Sequence, residues 1–267
     1  MKILEDQKIF FDKIALNHNK ICLENYTLFE FYSFKIVSDA LTFLSDCNSV
    51  IDYGCGLGEN IEMYHHGNGR YPLFLHGVDI SENCLEVCYR NFKNYNYKFS
   101  LIVDNLDFLN NQSFDGGYIV NVLHHTDDHN NLLLELLKKI KKGGKLVVID
   151  SGSDSVLHNL LLKIFPYVPK FIKKNYSNDL IIDGNIPNKI PVHVNSLCDL
   201  LKSNNHDYEL IFFNGIISSL CEIIKGMGIK ISQKNLFFKK LLNLDFFLAN
   251  YLHKNKSNLF VLKINVN

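Results

Sequence analysis

The chain predicts a doubly wound α/β fold with a mostly parallel sheet, and three observations carry that expectation. Short apolar segments alternate with amphipathic helical ones through residues 46–150. The first apolar segment, Val50-Ile51-Asp52-Tyr53, runs directly into the glycine turn Gly54-Cys55-Gly56-Leu57-Gly58. Acidic residues close successive apolar segments, at Asp79, Asp104 and Asp150. With 267 residues, 47% of them apolar, the chain can bury one core with elaborations and leaves little room for a second full domain.

Residues 1–45 read as N-terminal helices, with Phe29, Phe31, Phe34, Ile36 and Leu41 at mixed three and four spacing. Residues 46–150 are the core. A buried parallel strand at 49–53 enters the glycine turn, and a helix follows from about Glu59. The second strand, 73–78, ends at Asp79; Ser81 and Glu82 then begin a helix through Leu85, Val87 and Cys88. A third strand at 100–103 ends at Asp104. A fourth at 118–122 leads into Leu123-His124-His125, with Asp127, Asp128 and His129 as a solvated helix start. The periodic helix 132–140 is expected to stop at Gly143-Gly144, before a fifth strand at 146–149. Residues 151–192, with Pro166, Pro169, Pro187 and Pro191, suit an irregular cap. Residues 193–267 add a helix at 194–202 and strands at 208–213 and 258–264, the two strands separated by a largely helical insertion at 215–256.

Lys plus Arg and Asp plus Glu are equal at 28 each, so no net positive field exists to hold a phosphate backbone and nucleic acid is not an expected partner. The start, Met1-Lys2-Ile3-Leu4-Glu5-Asp6, lacks a basic segment followed by an apolar one, and no apolar run is long enough to span a bilayer. A cytoplasmic protein without a membrane span is expected. The seven cysteines are odd in number and form no C-x-x-C pair, which fits reduced thiols. Cys84 and Cys88 share a helix face, but no nearby spacing supplies two further zinc ligands, so no metal site is expected. The helix 235–254 is apolar around most of its circumference and has only Lys239 and Lys240 as a basic face. Packing over the sheet or against a second copy, as in a homodimer, is favoured there over lipid contact.

A G-x-G-x-G turn leaving a strand lets the backbone approach a ligand closely. The spacing of Gly54, Gly56 and Gly58 is tighter than the G-x-G-x-x-G dinucleotide fingerprint, although Asp79, 21 residues after Gly58, would suit either a nicotinamide cofactor or S-adenosylmethionine. A nicotinamide oxidoreductase also calls for a Tyr-x-x-x-Lys pair, which is absent at any plausible place.

Over about residues 45–150, with a weaker echo in the last two strands, the sequence resembles the class I S-adenosylmethionine-dependent methyltransferases, a Rossmann-like family. The resemblance rests on Asp52 before the glycine turn and on Gly77-Val78-Asp79-Ile80-Ser81 and Ile102-Val103-Asp104-Asn105-Leu106. It rests also on Phe114-Asp115 running to Leu123-His124-His125, and on Leu137-Lys138-Lys139-Ile140-Lys141-Lys142-Gly143-Gly144, where Lys142 replaces the family's usual proline. It implies one methyltransferase domain over 1–267 that binds S-adenosylmethionine. Asp79 would grip the ribose hydroxyls with Ile80 beside it, and Asp104 would contact adenine with Asn105 and Leu106 adjacent. The turn at Gly54, Cys55, Gly56 and Gly58, with Asn121, would hold the amino acid end, and Asp52 before the turn is a further cofactor-binding residue. The insertion at 215–256 departs from the family's usual short hairpin and bears on the substrate surface.

Methyl transfer to a hydroxyl needs donor and acceptor in line and a base for the proton. His124, His125 and Asp150 stand at strand ends facing the expected crevice and are the candidate bases. Tyr26 and Tyr32, with Glu30, are candidates to close over the cofactor from the N-terminal helices. The expected acceptor is a small molecule methylated at oxygen, with a sugar or nucleotide-linked sugar for surface polysaccharide as the leading case. An amine or carboxylate of a natural-product or lipid-like compound, or a non-catalytic cofactor-binding subunit, are the alternatives. The motif Asn-Pro-Pro-Tyr, usual in enzymes that methylate base amino groups, is absent after the fourth strand.

Overall fold

The chain forms one seven-stranded sheet, in the order β3-β2-β1-β4-β5-β7-β6. The computed structural model describes residues 2–16, 28–102, 106–151, 190, 192–213, 231–232, 235–252 and 259–267. Helices α1 (Lys2–Leu16) and α2 (Leu28–Leu41) come first, followed by β1 (Ser49–Tyr53), α3 (Glu59–Asn68), β2 (Phe74–Asp79), α4 (Glu82–Phe92) and β3 (Tyr97–Leu101). After these come β4 (Phe114–Val120), a 3-10 turn (Leu123–His125), α5 (His129–Lys139) and β5 (Ile140–Ser151). The chain closes with α6 (Val194–Ser203), β6 (Asp207–Phe213), α7 (Leu236–Leu252) and β7 (Leu259–Asn265). The cap expected at 151–192 lies almost wholly outside the described residues, as does Tyr26.

Strands β1 to β5 run parallel, and β7 is antiparallel between β5 and β6. Side chains alternate across the sheet, so its near-continuous apolar strands feed two cores. Ile51, Ile119, Leu146, Val148 and Leu262 pack with α5 and α6 on one face. Val50, Tyr118, Val120, Val147, Ile149 and Val261 pack with α2, α3 and α4 on the other. The chain moves outward in one direction through β1, β2 and β3 and in the other through β4 and β5. That reversal leaves a crevice beyond the carboxyl ends of β1 and β4, where open α/β sheets bind ligands.

Several boundaries differ from the sequence expectation, β5 among them, which runs Ile140–Ser151 where the sequence predicts 146–149. Strand β3 begins at Tyr97 and ends at Leu101, because Tyr97 and Phe99 alternate onto the α4 face of an edge strand, a weaker signal than the apolar run at 101–103. Strand β4 begins at Phe114 and takes in Gly116 and Gly117, which act as close contacts and not as breakers. A Cβ at Gly116 would sit 2.7 Å from Cys47 Sγ, and one at Gly117 would sit 2.6 Å from Ile51 Cγ2. Helix α5 stops at Lys139, four residues before the glycine pair, and Ile140 turns extended to pair with Phe114. The helix end is satisfied from outside: the Gln112 and Ser113 amides donate to the Lys138 and Lys139 carbonyls at 2.9 Å each.

Leu133 is fully buried at the centre of the α5 packing. Leu133→Ala should lower unfolding free energy by about 2–5 kcal/mol, the range for a large-to-small change in a packed core. A urea-denaturation curve checks this, and a loss below about 1 kcal/mol would mean that α5 does not carry the packing described.

Candidate active site

The glycine turn after β1 passes through Gly54, Gly56 and Gly58 at φ 74°, 50° and 91°. All three lie in the left-handed region that residues bearing a Cβ seldom adopt. A Cβ at Gly54 would lie 2.3 Å from Val122 Cγ2, and one at Gly58 would lie 2.6 Å from the Phe92 ring, so these two let the turn press against its neighbours. A Cβ at Gly56 would meet nothing within 4 Å. Gly56 is therefore the position where the turn itself faces open space.

The turn is pinned to the end of β2. The Gly54 and Cys55 amides both donate to the Val78 carbonyl, at 2.8 and 3.1 Å. The Gly56 amide donates to Asp79 Oδ2 at 2.8 Å, and the Ser81 amide donates to Asp79 Oδ1 at 2.9 Å. Each carboxylate oxygen accepts one bond from the backbone and keeps capacity for another. Burial pushes the Asp79 carboxyl above the usual carboxylate range, opposed by the Ser81, Gly56 and Ile80 amides.

Asp52 is fully buried on β1, and neither of its oxygens has a hydrogen-bond partner among the described residues; the Tyr118 hydroxyl is likewise without one. Burial holds the Asp52 carboxyl well above its ordinary range, with the Asp79 charge adding to the rise. The nearby Tyr118 hydroxyl and Asn60 pull in the other direction. An unpartnered buried carboxylate costs free energy unless something else satisfies it.

At the end of β4, Asn121 adopts φ 57° and its amide donates to the Ile149 carbonyl at 2.8 Å, which brings the 3-10 turn beside the end of β5. His124 Nδ1 lies 2.6 Å from Asp150 Oδ1. Asp150, fully buried, also accepts from the Ser151 amide at 2.6 Å. Its charge is therefore supported on several sides, and the contact engages the Nδ1 side of the His124 ring. The His125 ring instead packs edge-on against Phe11 of α1, with centroids 5.6 Å apart.

Helix α1 spans the crevice. Gln7 Nε2 donates to the His125 carbonyl at 3.2 Å on the β4 side, and the Ser81 hydroxyl donates to Asp12 Oδ1 at 2.5 Å on the β2 side. Since β1 lies between β2 and β4, α1 crosses the glycine turn. Tyr32 does not take part in this closure, because its hydroxyl donates to the Leu242 carbonyl on α7 at 3.1 Å.

Asp52, the three glycines, Cys55, Asp79, Ile80, Asn121, His124, His125 and Asp150 thus gather around the ends of β1, β2, β4 and β5. Asp104 and Asn105 lie outside the described residues. Leu106 is 1% exposed and its side chain belongs to the core, so it offers a ligand only backbone. Asp128 caps α5, accepting from the Asn131 amide at 3.0 Å. Asp115 accepts from the Asn48 and Ser49 amides and pairs with Lys141, so this residue of the Phe114-Asp115 pair organises the opposite end of the sheet. Sequence reading did not single out Gln7, Asp12 or Tyr118. The alternation of Tyr118 with Ile119 on a buried strand was the available signal for the last.

Residues 51–148 match the family model of the methyltransferase domain. No curated protein matches the sequence. Among solved structures, an S-adenosylmethionine-dependent methyltransferase from Archaeoglobus fulgidus is similar at 18% identity and TM-score 0.53, covering 88% of this chain and 93% of its own. Geranyl diphosphate C-methyltransferase from Streptomyces coelicolor A3(2), in complex with Mg2+, a thiolodiphosphate analogue and S-adenosylhomocysteine, is similar at 13% identity and TM-score 0.56. The match covers 89% of this chain and 76% of that one. The [4+2]-cyclase SpnF matches at 11% identity and TM-score 0.59, over 97% and 96% of the two chains. Likeness at this level shows the fold, and one fold hosts several reactions.

Two substitutions separate the roles of the acids. Asp79→Ala removes acceptors worth about 1.5–3 kcal/mol each, and affinity for S-adenosylhomocysteine should fall at least tenfold by calorimetry; unchanged affinity would refute the assigned site. Asp52 binds its proton more tightly in the folded chain than in the unfolded one. Its burial therefore destabilises the fold increasingly as pH rises from the ordinary carboxylate range towards the raised folded value. Asp52→Asn should raise the melting temperature of the ligand-free protein at neutral pH, flatten its pH dependence and weaken cofactor binding. A lowered melting temperature with native affinity would make Asp52 a purely structural group.

Proposed function

We propose that the chain, whose residues 51–148 match a methyltransferase domain, is an S-adenosylmethionine-dependent methyltransferase that methylates a hydroxyl oxygen of a small molecule, with His124 as the base. The observation that carries this reading is the 2.6 Å contact between His124 Nδ1 and Asp150 Oδ1 at the carboxyl end of the sheet.

The residues present fit the cofactor. The buried, unpartnered carboxylate of Asp52 suits the cationic amino acid end, and open space at Gly56 admits close approach to the turn. Asp79 has acceptor capacity to spare for ribose hydroxyls, and Asn121 stands across the crevice at the end of β4. Asp104, with Asn105, is the proposed adenine contact, as the family resemblance implies. Bound S-adenosylmethionine supplies an electrophilic methyl on a sulfonium, so the protein's task is alignment and proton removal.

Asp150 fixes the His124 ring with its proton on Nδ1, which leaves the Nε2 lone pair as the acceptor. As the acceptor oxygen would take the methyl and the methyl–sulfur bond would break, leaving S-adenosylhomocysteine, the hydroxyl proton would pass to Nε2 and the buried carboxylate of Asp150 would stabilise the resulting imidazolium. His125, packed under α1, is assigned to holding that helix over the site. Within small-molecule alcohols, a sugar hydroxyl, free or nucleotide-linked, is the class we place first. It rests on the balanced charge of the chain and on the cap expected after β5.

The test is release of S-adenosylhomocysteine with a panel of sugars, nucleotide sugars and other alcohols beside amines and carboxylates. Turnover confined to amines or carboxylates would overturn the reading. With an active alcohol, His124→Ala should lower turnover by about a hundred- to ten-thousand-fold while leaving cofactor affinity nearly native. Asp150→Asn should lower turnover as well, because the ring loses the carboxylate that orients it. Near-native turnover in both variants would remove this pair from the mechanism.

A further inference from the structure

Helix α7 buries one side and exposes large apolar groups on the opposite side. Leu242 and Asp245 are buried, and Leu242 packs in a small cluster with Leu28 of α2, Tyr32, Ile231 and Phe238. Leu236, Phe237, Leu244 and Phe247 are 71%, 66%, 49% and 55% exposed. At about 100° per residue these four fall within an arc of about 100°, roughly opposite the buried side chains, and Lys240 falls in their midst with Lys239 on the flank. Both lysines are exposed. Asp245 is the only acid in the helix, and it is turned inward. The exposed face therefore carries large apolar groups, positive charge and no negative charge.

We propose that this face of α7 docks the protein onto an anionic lipid surface, with Leu236, Phe237, Leu244 and Phe247 entering the interface and Lys239 and Lys240 meeting the headgroups. An in-plane helix with aromatic and aliphatic side chains on one face, and lysines within and beside that face, matches the chemistry of a bilayer boundary. The lysines add electrostatic attraction to a negative surface. No described helix is long and apolar enough to cross a membrane, so the helix lies on the surface. A second copy of the chain is a poorer occupant. A two-fold axis through the stripe would bring Lys240 towards its own symmetry mate inside an apolar contact, with no acid on either face to pair with it. The docking does not depend on which acceptor the methyltransferase uses.

Cosedimentation of the full chain with phosphatidylcholine vesicles, with and without phosphatidylglycerol, tests the proposal. Binding should appear with phosphatidylglycerol, weaken with added salt and be slight on phosphatidylcholine alone. Phe237→Ser with Leu244→Ser, and separately Lys239→Glu with Lys240→Glu, should each reduce binding by about tenfold or more, because both the apolar and the electrostatic contributions are needed. All four side chains are exposed, so melting temperature and S-adenosylhomocysteine affinity should stay native and certify the fold. No binding to the anionic vesicles, equal binding to both compositions, or indifference to the charge reversal overturns it. So does a wild-type dimer that the serine pair converts to monomer, which would identify the occupant as a second copy.

Discussion

The hydrogen bond from the Gly56 amide to Asp79 holds the site together. The glycine turn has no side chains with which to fix itself, and its left-handed backbone is accessible to many conformations in the unfolded chain. Asp79 and the Val78 carbonyl take three consecutive amides of that turn, so the end of β2 dictates the path of the chain leaving β1. Through Ser81 the same carboxylate sets the start of α4, whose first turn is capped by the Ser81 hydroxyl accepting from the Cys84 amide at 3.1 Å. Through Asp12, Ser81 in turn receives α1. One carboxylate therefore relates the turn, the helix after it and the helix above it.

Much of this was legible in the sequence because parallel strands buried on both faces read as short apolar runs, and Asp52, Asp79 and the three glycines sit at their ends. Boundaries were less legible where a residue fits two states. Ile140 is apolar whether it ends a helix or starts a strand, and only its pairing with Phe114 decides. Gly116 and Gly117 look like breakers until Cys47 and Ile51 are seen pressing on them. Contacts between distant segments left no periodic trace. Gln7 reaches His125 across 118 residues, and nothing local marks either as a partner of the other. The His124–Asp150 pair is intermediate: both follow strands predicted as parallel, but their meeting depends on the register Val120↔Ile149.

Asp52 and Asp150 show how the same burial can serve opposite ends. Both are fully shielded from solvent, and both lie at or near the carboxyl ends of central strands. Asp150 is surrounded by donors from its own chain, the His124 ring and the Ser151 amide among them, so its charge is supported without any ligand. Asp52 has only the Tyr118 hydroxyl and Asn60 close by, neither in a well-formed hydrogen bond, and Asp79 nearby makes its ionisation harder still. A protein-satisfied carboxylate can position a base with a fixed orientation, because nothing about it must change when a ligand arrives. An unsatisfied one leaves the empty site electrostatically unfavourable, and a cationic ligand relieves that cost on binding. Where a buried acid finds its donors thus divides the residues that orient chemistry from those that wait for the molecule on which the chemistry is done.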